Sequence, residues 1–128
     1  MSLGEALLTP TYIYVKPVLA VLEAAEVHGI SHITGGGFYE NIPRSIPDGL
    51  CAAVEKASLR TPAIFGMIQR AGDIPERDMF NTFNMGVGMS LIVSCDSADC
   101  AIRTLSSYGV AAYPIGEIRK GDDKLCLL

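Results

Sequence analysis

Three consecutive glycines, Gly35 to Gly37, are the feature that most constrains how this chain can fold. Glycine loses more backbone freedom on folding than any other residue, so a triplet is retained best where the backbone needs a positive φ or approaches another group too closely for a Cβ. The β-branched run from Ile30 to Thr34 predicts a strand before the triplet. Phe38 to Ile42 predict a short helix after it, which stops at Pro43.

A strand, a glycine turn and a helix start point unpaired backbone N–H groups and the positive end of the helix dipole at one place, where an anion would bind. Arg44 follows closely enough to bring a guanidinium fork to the same anion. The triplet lacks the Lys-Ser/Thr ending of a P-loop and the G-x-G-x-x-G spacing of a dinucleotide fold. The residues alone therefore leave two interpretations open, an anion site and a tight structural turn. An anion site requires the glycine amides to face an open cleft.

Three further side chains are candidates with two interpretations each. His32 precedes the glycines by three residues and either faces a ligand or is held in the core by a backbone hydrogen bond. Asn84 stands just before a predicted strand, where its amide can fix polar groups of a ligand or serve the fold. Lys16, near a predicted helix start, is either solvated or a phosphate contact.

Residues 32–44 read HITGGGFYENIPR, and two other strings accompany them, Leu8 to Pro17 and Thr82 to Met89. Together they closely resemble the C-terminal half of the aminoimidazole ribonucleotide synthetase family, the phosphoribosylformylglycinamidine cyclo-ligases of purine synthesis. The resemblance covers nearly the whole chain. Tyr12 departs from it where the family often has a basic residue, and Leu59 departs where a Trp is common. Neither residue touches the glycine motif, so both concern local packing.

The resemblance implies ATP-dependent closure of formylglycinamidine ribonucleotide to aminoimidazole ribonucleotide, with small-molecule nucleotide substrates. It implies that ATP and Mg²⁺ are held mostly by an N-terminal half absent from this chain, and that the full-length protein is a homodimer. No catalytic or metal-binding residue is assigned here, and the fragment alone is expected to lack turnover. The implied substrate- or phosphate-binding residues are His32, Thr34, Gly35, Gly36, Gly37, Phe38, Asn41, Arg44 and Asn84.

Composition narrows the class of protein. With 128 residues, 49% of them hydrophobic, the chain is long and apolar enough for one domain with a core. A net charge of -4 with scattered basic residues argues against a nucleic-acid surface. No apolar run approaches the roughly 18 residues of a membrane helix, and no secretion signal is recognisable, so a cytoplasmic location is expected. The four cysteines show no metal-binding spacing and are expected to be buried free thiols.

The order of helical and strand patterns predicts an α/β fold with a mixed sheet of about five strands and helices mainly on one face, like the C-terminal domain of this superfamily. Alternation from Met85 to Val93 predicts an interior strand. Gly86 and Gly88 within it predict close packing, against a helix or a ligand. Near the end of the chain, Ala111 to Ile118 predict a strand that a hairpin joins to a last strand, Lys124 to Leu128.

The remaining elements are predicted from helical spacing, caps and the family. Tyr12 to Val15 is a short strand or an extended lead-in. Helices are predicted at Lys16 to Glu26 and at Pro62 to Gly72, the second with Thr61 as its N-cap. Pro75 is predicted to open a short helix, and a further helix at Ala98 to Tyr108 is capped by Asp96 or Ser97. The strand predicted at Leu50 to Ala57 is taken from the family.

The chain is expected to be a single domain, residues 1–128, that forms the C-terminal half of a longer enzyme, with Met1 to Leu3 as an added leader. Two other functions stay open. One is another ATP-using enzyme of the superfamily, such as a selenophosphate synthetase. The other is a standalone phosphate-binding or regulatory module without turnover.

Overall fold

The computed structural model describes all 128 residues. Its helices are α1 (Leu3–Leu7), α2 (Val15–Ala24), α3 (Gly37–Asn41), α4 (Ala63–Gly72), α5 (Glu76–Thr82) and α6 (Ala98–Ser107). The strands are β1 (Val27–His32), β2 (Leu50–Val54), β3 (Met89–Val93), β4 (Gly116–Lys120) and β5 (Leu125–Leu127). Short 3₁₀ turns lie at Ile42–Ser45, Lys56–Ser58 and Cys95–Ser97.

The five strands form two separate sheets. β1 pairs with β3 in an antiparallel ladder in which His32 faces Met89. The second sheet has the order β4-β2-β5, with β2 antiparallel to β4 and parallel to β5. The α/β class, the mixed sheet and the number of strands are confirmed, but the strands do not lie in one continuous sheet.

Two hydrophobic clusters organise the chain around these sheets. In the larger one, Phe38 is fully buried and meets the Phe80 ring edge-on, with the ring centroids 5.3 Å apart. In the smaller one, Val21 of α2 packs with Ala101 and Leu105 of α6. Helices α2 and α6 thus lie together on the face of β3 that carries Leu91 and Val93, while Ile92 packs against the larger cluster.

The predicted interior strand from Met85 to Val93 is wrong in extent and position. Only Met89–Val93 is a strand, and its single neighbour is β1. Met85 and Gly86 have φ values of 51° and 94°, and the Asn84 side chain accepts a hydrogen bond from the Gly86 N–H at 2.9 Å. The segment before β3 is therefore a turn. Met85 and Val87 alternate in sequence because both side chains enter the larger cluster from that turn.

The close packing predicted at the two glycines of this segment is present, but neither glycine meets a helix. A Cβ on Gly86 would lie 3.0 Å from the carbonyl oxygen of Arg60 and would overlap the ring of Pro62. A Cβ on Gly88 would overlap the hydroxyl of Tyr14. Because Gly86 has no side chain, the Arg60–Pro62 loop can pack against its backbone. Gly88 in the same way leaves room for the segment that leads into α2.

The predicted C-terminal hairpin is also wrong, because β2 lies between β4 and β5. β5 runs parallel to β2, with Ala53 opposite Cys126. The strand predicted at Ala111 to Ile118 begins later, at Gly116, and extends to Lys120. Long-range pairing with β2 therefore overrides the local turn signal at residues 121–122.

Local boundaries differ by a few residues elsewhere. The N-cap of α4 is Pro62 rather than Thr61, and no side chain caps this helix. Ser97 is the N-cap of α6, without a side-chain bond to it. At the start of the chain, Ser2 caps α1 in a capping box with Glu5, and the hydrogen bonds to Ser2 lower the pKa of the Glu5 carboxyl. No strand forms at residues 12–15, because residues 12–14 are a lead-in without regular secondary structure and Val15 begins α2. Only Cys51 of the four cysteines is buried, so the burial predicted for the other three is wrong.

The contact between Gly88 and Tyr14 can be tested with a pair of substitutions. Gly88→Ala places a methyl group where the Tyr14 hydroxyl lies, and overpacking of this kind costs about 1–3 kcal/mol. We expect that loss in the free energy of unfolding, measured by urea denaturation. Adding Tyr14→Phe removes the hydroxyl and should restore most of the loss. Strictly additive effects of the two substitutions would contradict the contact.

Candidate functional site

A polar pocket lies where β1 ends and the 3₁₀ turn Ile42–Ser45 follows α3. It has a volume of about 300 Å³. Of the predicted site residues it contains His32, Thr34, Asn41 and Arg44. The full lining is Ile30, Ser31, His32, Thr34, Asn41, Arg44 and Ser45, which includes no carboxylate.

The glycine triplet forms the predicted turn from strand to helix, since β1 ends at His32 and α3 begins at Gly37. Gly36 and Gly37 have φ values of 96° and 59°, which disfavour any residue with a Cβ. A Cβ on Gly37 would overlap the carbonyl of Phe80 and lie 2.8 Å from the Phe83 carbonyl oxygen. The close approach at Gly37 is therefore to the backbone of α5, whereas a Cβ on Gly35 would meet nothing.

Asn41 holds the turn in shape from within. Its side chain is only 5% exposed, and its Nδ2 donates to the carbonyl oxygens of Thr34, Gly35 and Gly37 at 3.3, 3.3 and 2.8 Å. The Nδ2 group thus orients three peptide carbonyls of the turn. Its Oδ1 makes no hydrogen bond within the chain, although Asn41 lines the pocket. That oxygen is an acceptor available to a ligand.

The orientation of these carbonyls determines where the glycine amides point. A trans peptide unit carries its C=O and N–H on opposite sides. Because Asn41 draws the carbonyls of Thr34 and Gly35 toward itself, the N–H groups of Gly35 and Gly36 point away from it. Neither N–H has an acceptor in the chain, whereas the Gly37 N–H donates to Thr34 O at 3.0 Å. Two of the three glycine amides are therefore available, and the third serves the turn.

Arg44 supplies the positive charge of the pocket. It is exposed and belongs to none of the three ion pairs of the chain, which are His28–Glu26, Lys56–Glu76 and Lys124–Asp48. Below it, the Ser45 Oγ donates to Ile42 O at 3.0 Å and lies 2.8 Å from the Ser31 Oγ, so Ser31 donates to Ser45. An unpaired guanidinium in a pocket lined by no carboxylate suits an anion. The Glu40 carboxylate lies outside this lining, beside Gly36, where a Cβ would overlap it.

His32 is exposed and makes no hydrogen bond, so the alternative of a histidine held in the core is wrong. Its ring stands edge-on to that of Tyr14, with 5.9 Å between the centroids. Burial raises the pKa of the Tyr14 hydroxyl, and the nearby Tyr12 raises it further. His32 also borders an apolar groove on the side of Tyr14, so it separates two surface depressions.

Five predicted site residues do not line the pocket, namely Gly35, Gly36, Gly37, Phe38 and Asn84. Phe38 is buried in the larger cluster, where it packs on Phe80. Asn84 uses its Oδ1 to close the turn at Gly86, and Lys16 does not line the pocket either. The sequence analysis missed Ser31 and Ser45, because an isolated serine looks the same in sequence whether it is solvated or paired inside a pocket.

The chain offers no site that fits a divalent metal ion. No group of three or more His, Cys, Asp or Glu side chains is close enough together to hold one. A magnesium ion prefers carboxylate oxygens, and the pocket has none. None of the helices is long and apolar enough to cross a membrane.

Comparison with protein-family models matches residues 1–125 to the AIR synthase related protein, C-terminal domain. The chain belongs to this family. Because the match spans the glycine turn, the pocket and both sheets, the features described above are parts of an AIR synthase related C-terminal domain. The family resemblance read from the glycine string is thereby confirmed.

Curated relatives at 49–57% identity share one name. The chain is 57% identical over 127 residues to the phosphoribosylformylglycinamidine cyclo-ligase of Caldicellulosiruptor bescii, which covers 99% of the chain and 37% of the relative. The corresponding enzymes of Fusobacterium nucleatum and Bacillus subtilis are 49% and 50% identical, over 99% and 94% of the chain and 38% and 35% of the relatives. The chain thus spans little more than a third of the length of these relatives.

The role of Asn41 can be tested by an isosteric change. Asn41→Asp replaces the Nδ2 donor by an oxygen that faces three carbonyl oxygens, so we expect a loss of roughly 3 kcal/mol in the free energy of unfolding. Asn84→Asp is the matched control, because Asn84 acts through its Oδ1 acceptor, which aspartate retains.

The control should change the free energy of unfolding by no more than about 0.5 kcal/mol. Urea denaturation of both variants measures the difference. Equal destabilisation by the two substitutions would contradict the donor role of Asn41.

Proposed function

We propose that this chain is the C-terminal domain of a phosphoribosylformylglycinamidine cyclo-ligase and that its polar pocket binds a phosphate group. The observation that carries the proposal is the unpaired Arg44 in a pocket lined by no carboxylate. The free amides of Gly35 and Gly36 follow Thr34, which lines the pocket. The names of relatives at 49–57% identity supply the reaction. Thr34, Gly35, Gly36, Asn41 and Arg44 are the proposed contacts.

The reaction requires phosphate recognition at several points. ATP transfers its γ-phosphoryl group to the amide oxygen of formylglycinamidine ribonucleotide, with loss of ADP. The neighbouring nitrogen then attacks the same carbon, the C–O bond breaks, and phosphate leaves as the imidazole ring closes. The substrate's ribose phosphate and the nucleotide phosphates both require fixed cationic or N–H donors.

The residues of this chain would bind and orient rather than exchange protons. Arg44 is placed to donate to phosphate oxygens as a guanidinium fork, and Gly35 and Gly36 to donate through their amides. The Asn41 Oδ1 is an acceptor for an O–H or N–H of the bound molecule. These donors do not need to reorganise on binding, because Asn41 and the Gly37 contact already fix the turn.

ATP and Mg²⁺ would act largely through the part of the enzyme that precedes this domain in the relatives. Mg²⁺ would neutralise phosphate charge, and the chain's own residues do not fit that ion. The homodimer, the cytoplasmic location and the absence of nucleic-acid and membrane partners stay predictions from the sequence. A standalone phosphate-binding module stays the alternative from another functional class.

The phosphate proposal predicts a binding defect on removal of one charge. Charge-assisted hydrogen bonds contribute about 1.5–3 kcal/mol, so Arg44→Gln should weaken binding of inorganic phosphate at least about tenfold. Arg103→Gln on α6 is the matched control, since Arg103 is also exposed and unpaired but remote in sequence from the turn.

Phosphate titration followed by amide NMR measures both the affinity and the location. The Gly35 and Gly36 resonances should shift, whereas that of Gly49, another exposed glycine, should not. An equal loss in the Arg103 variant, or shifts confined to other residues, would rule out this phosphate site.

A second prediction concerns turnover. The chain alone, incubated with ATP, Mg²⁺ and formylglycinamidine ribonucleotide, should form ADP and aminoimidazole product at least a hundredfold more slowly than the full-length C. bescii relative. Even a misplacement of about 1 Å costs on the order of a hundredfold, and this chain has no metal site. Turnover within tenfold of the relative would mean that catalytic groups lie in this domain.

A further inference from the structure

An apolar groove lies beside the polar pocket, on the segment that leads into α2. Its lining includes Tyr12, Ile13, Val15 and Leu19, which are 67, 81, 63 and 55% exposed. Seven of its eight lining residues are hydrophobic, and its volume is about 430 Å³. Single exposed apolar side chains are common, but a contiguous set of this size marks a surface that binds something.

The backbone of the same segment is also unsatisfied. No N–H or C=O group of Thr11, Tyr12 or Ile13 makes a hydrogen bond within the chain. The segment is nevertheless anchored, because Tyr14 packs over Gly88 and against His32. An ordered stretch with free backbone groups and outward apolar side chains can accept a neighbouring strand or loop.

We propose that this groove is the docking surface for the part of the enzyme that precedes this domain in its relatives. The matched family is a C-terminal domain, and the relatives are covered over only 35–38% of their length, so most of each relative precedes the matched region. In such a protein the preceding chain joins at α1, directly before the groove segment. A covalently attached neighbour has a high effective concentration, so it can occupy a surface of modest area.

The position of the groove gives the docking a consequence for the site. His32 borders both the groove and the polar pocket. A domain docked on Tyr12 and Ile13 would therefore reach the His32 side of the pocket and place its own groups next to the bound phosphate. The docking proposal rests on family membership and not on phosphate binding, so either can fail without the other.

Hydrogen exchange in a full-length protein tests the proposal. The probe is a chimaera in which this chain replaces the matched region of the C. bescii relative. Amides of residues 11–13, which have no acceptor in the isolated chain, should exchange at least about tenfold more slowly in the chimaera. Amides of Ala63–Gly72 in α4 should exchange at the same rate in both proteins. Unchanged exchange at residues 11–13 would overturn the proposal.

A binding measurement keeps the proposal testable should the chimaera not fold. The chain is titrated with the separately produced preceding part of the C. bescii relative. Leu19→Lys in the groove should weaken binding at least about tenfold, whereas Met67→Lys should change it less than twofold. Met67 is the matched control, since it is 47% exposed and lies on another helix, α4. Circular dichroism melting confirms that both variants are folded.

The remaining outcomes also decide the proposal. Failure of the unmodified chain to bind the preceding part, or equal losses in both variants, would overturn it. Sedimentation of the isolated chain examines another occupant, a second copy. A dimer that Leu19→Lys dissociates, together with unprotected residues 11–13 in the chimaera, would assign the groove to self-association instead.

Discussion

The backbone contact between Gly37 and α5 is the constraint on which the candidate site depends. Gly37 sits at a positive φ, with the carbonyls of Phe80 and Phe83 in the space a side chain would need. The contact brings α3 against α5 and seats Phe38 beside Phe80 in the larger cluster. The rim of the pocket is thereby tied to the most deeply buried part of the domain.

Asn41 extends that constraint to the glycine turn before α3. It belongs to the same short helix as Gly37, and its Nδ2 orients the peptide units that precede the helix. The consequence is that the N–H groups of Gly35 and Gly36 point away from Asn41 and meet no acceptor of the chain. Preorganised donors of this kind avoid part of the ordering cost that binding would otherwise carry. The five-residue length of α3 leaves little for a helix dipole to add, so the proposed anion binding would rest on these peptide units and Arg44.

The sequence was sufficient for the features that depend on local backbone preferences. A glycine triplet after a β-branched run predicted the turn. Arg44 lines the pocket because one short helix separates it from that turn, and its role toward an anion stays a prediction. The sequence was insufficient where a side-chain amide can act either through its N–H donor or through its oxygen acceptor. Asn41 and Asn84 were both predicted as ligand contacts, yet one acts as a donor to carbonyls and the other as an acceptor from Gly86.

The arrangement of the strands in two sheets was harder to predict from the sequence, for a different physical reason. The alternation of Met85 and Val87 is what a half-buried strand produces, but here a turn delivers both side chains to the same core. Likewise, the pairing of β5 with β2 rather than with β4 joins residues far apart in the chain. Such pairing is decided by total burial, which no short stretch of sequence contains.

The polar pocket and the apolar groove, which meet at His32, differ in how far contacts within the chain organise them. This difference bears on which steps would need another part of the enzyme. The polar pocket is organised by contacts wholly within the chain, through Asn41 and Gly37, so phosphate binding should not require any other part of the enzyme. The apolar groove has free backbone groups and exposed side chains that nothing in the chain satisfies. Under the two proposals, such a domain would hold one end of its ligand rigidly and leave the other end to groups of the docked part. Turnover would then depend on how accurately the two parts dock, whereas affinity for phosphate would not.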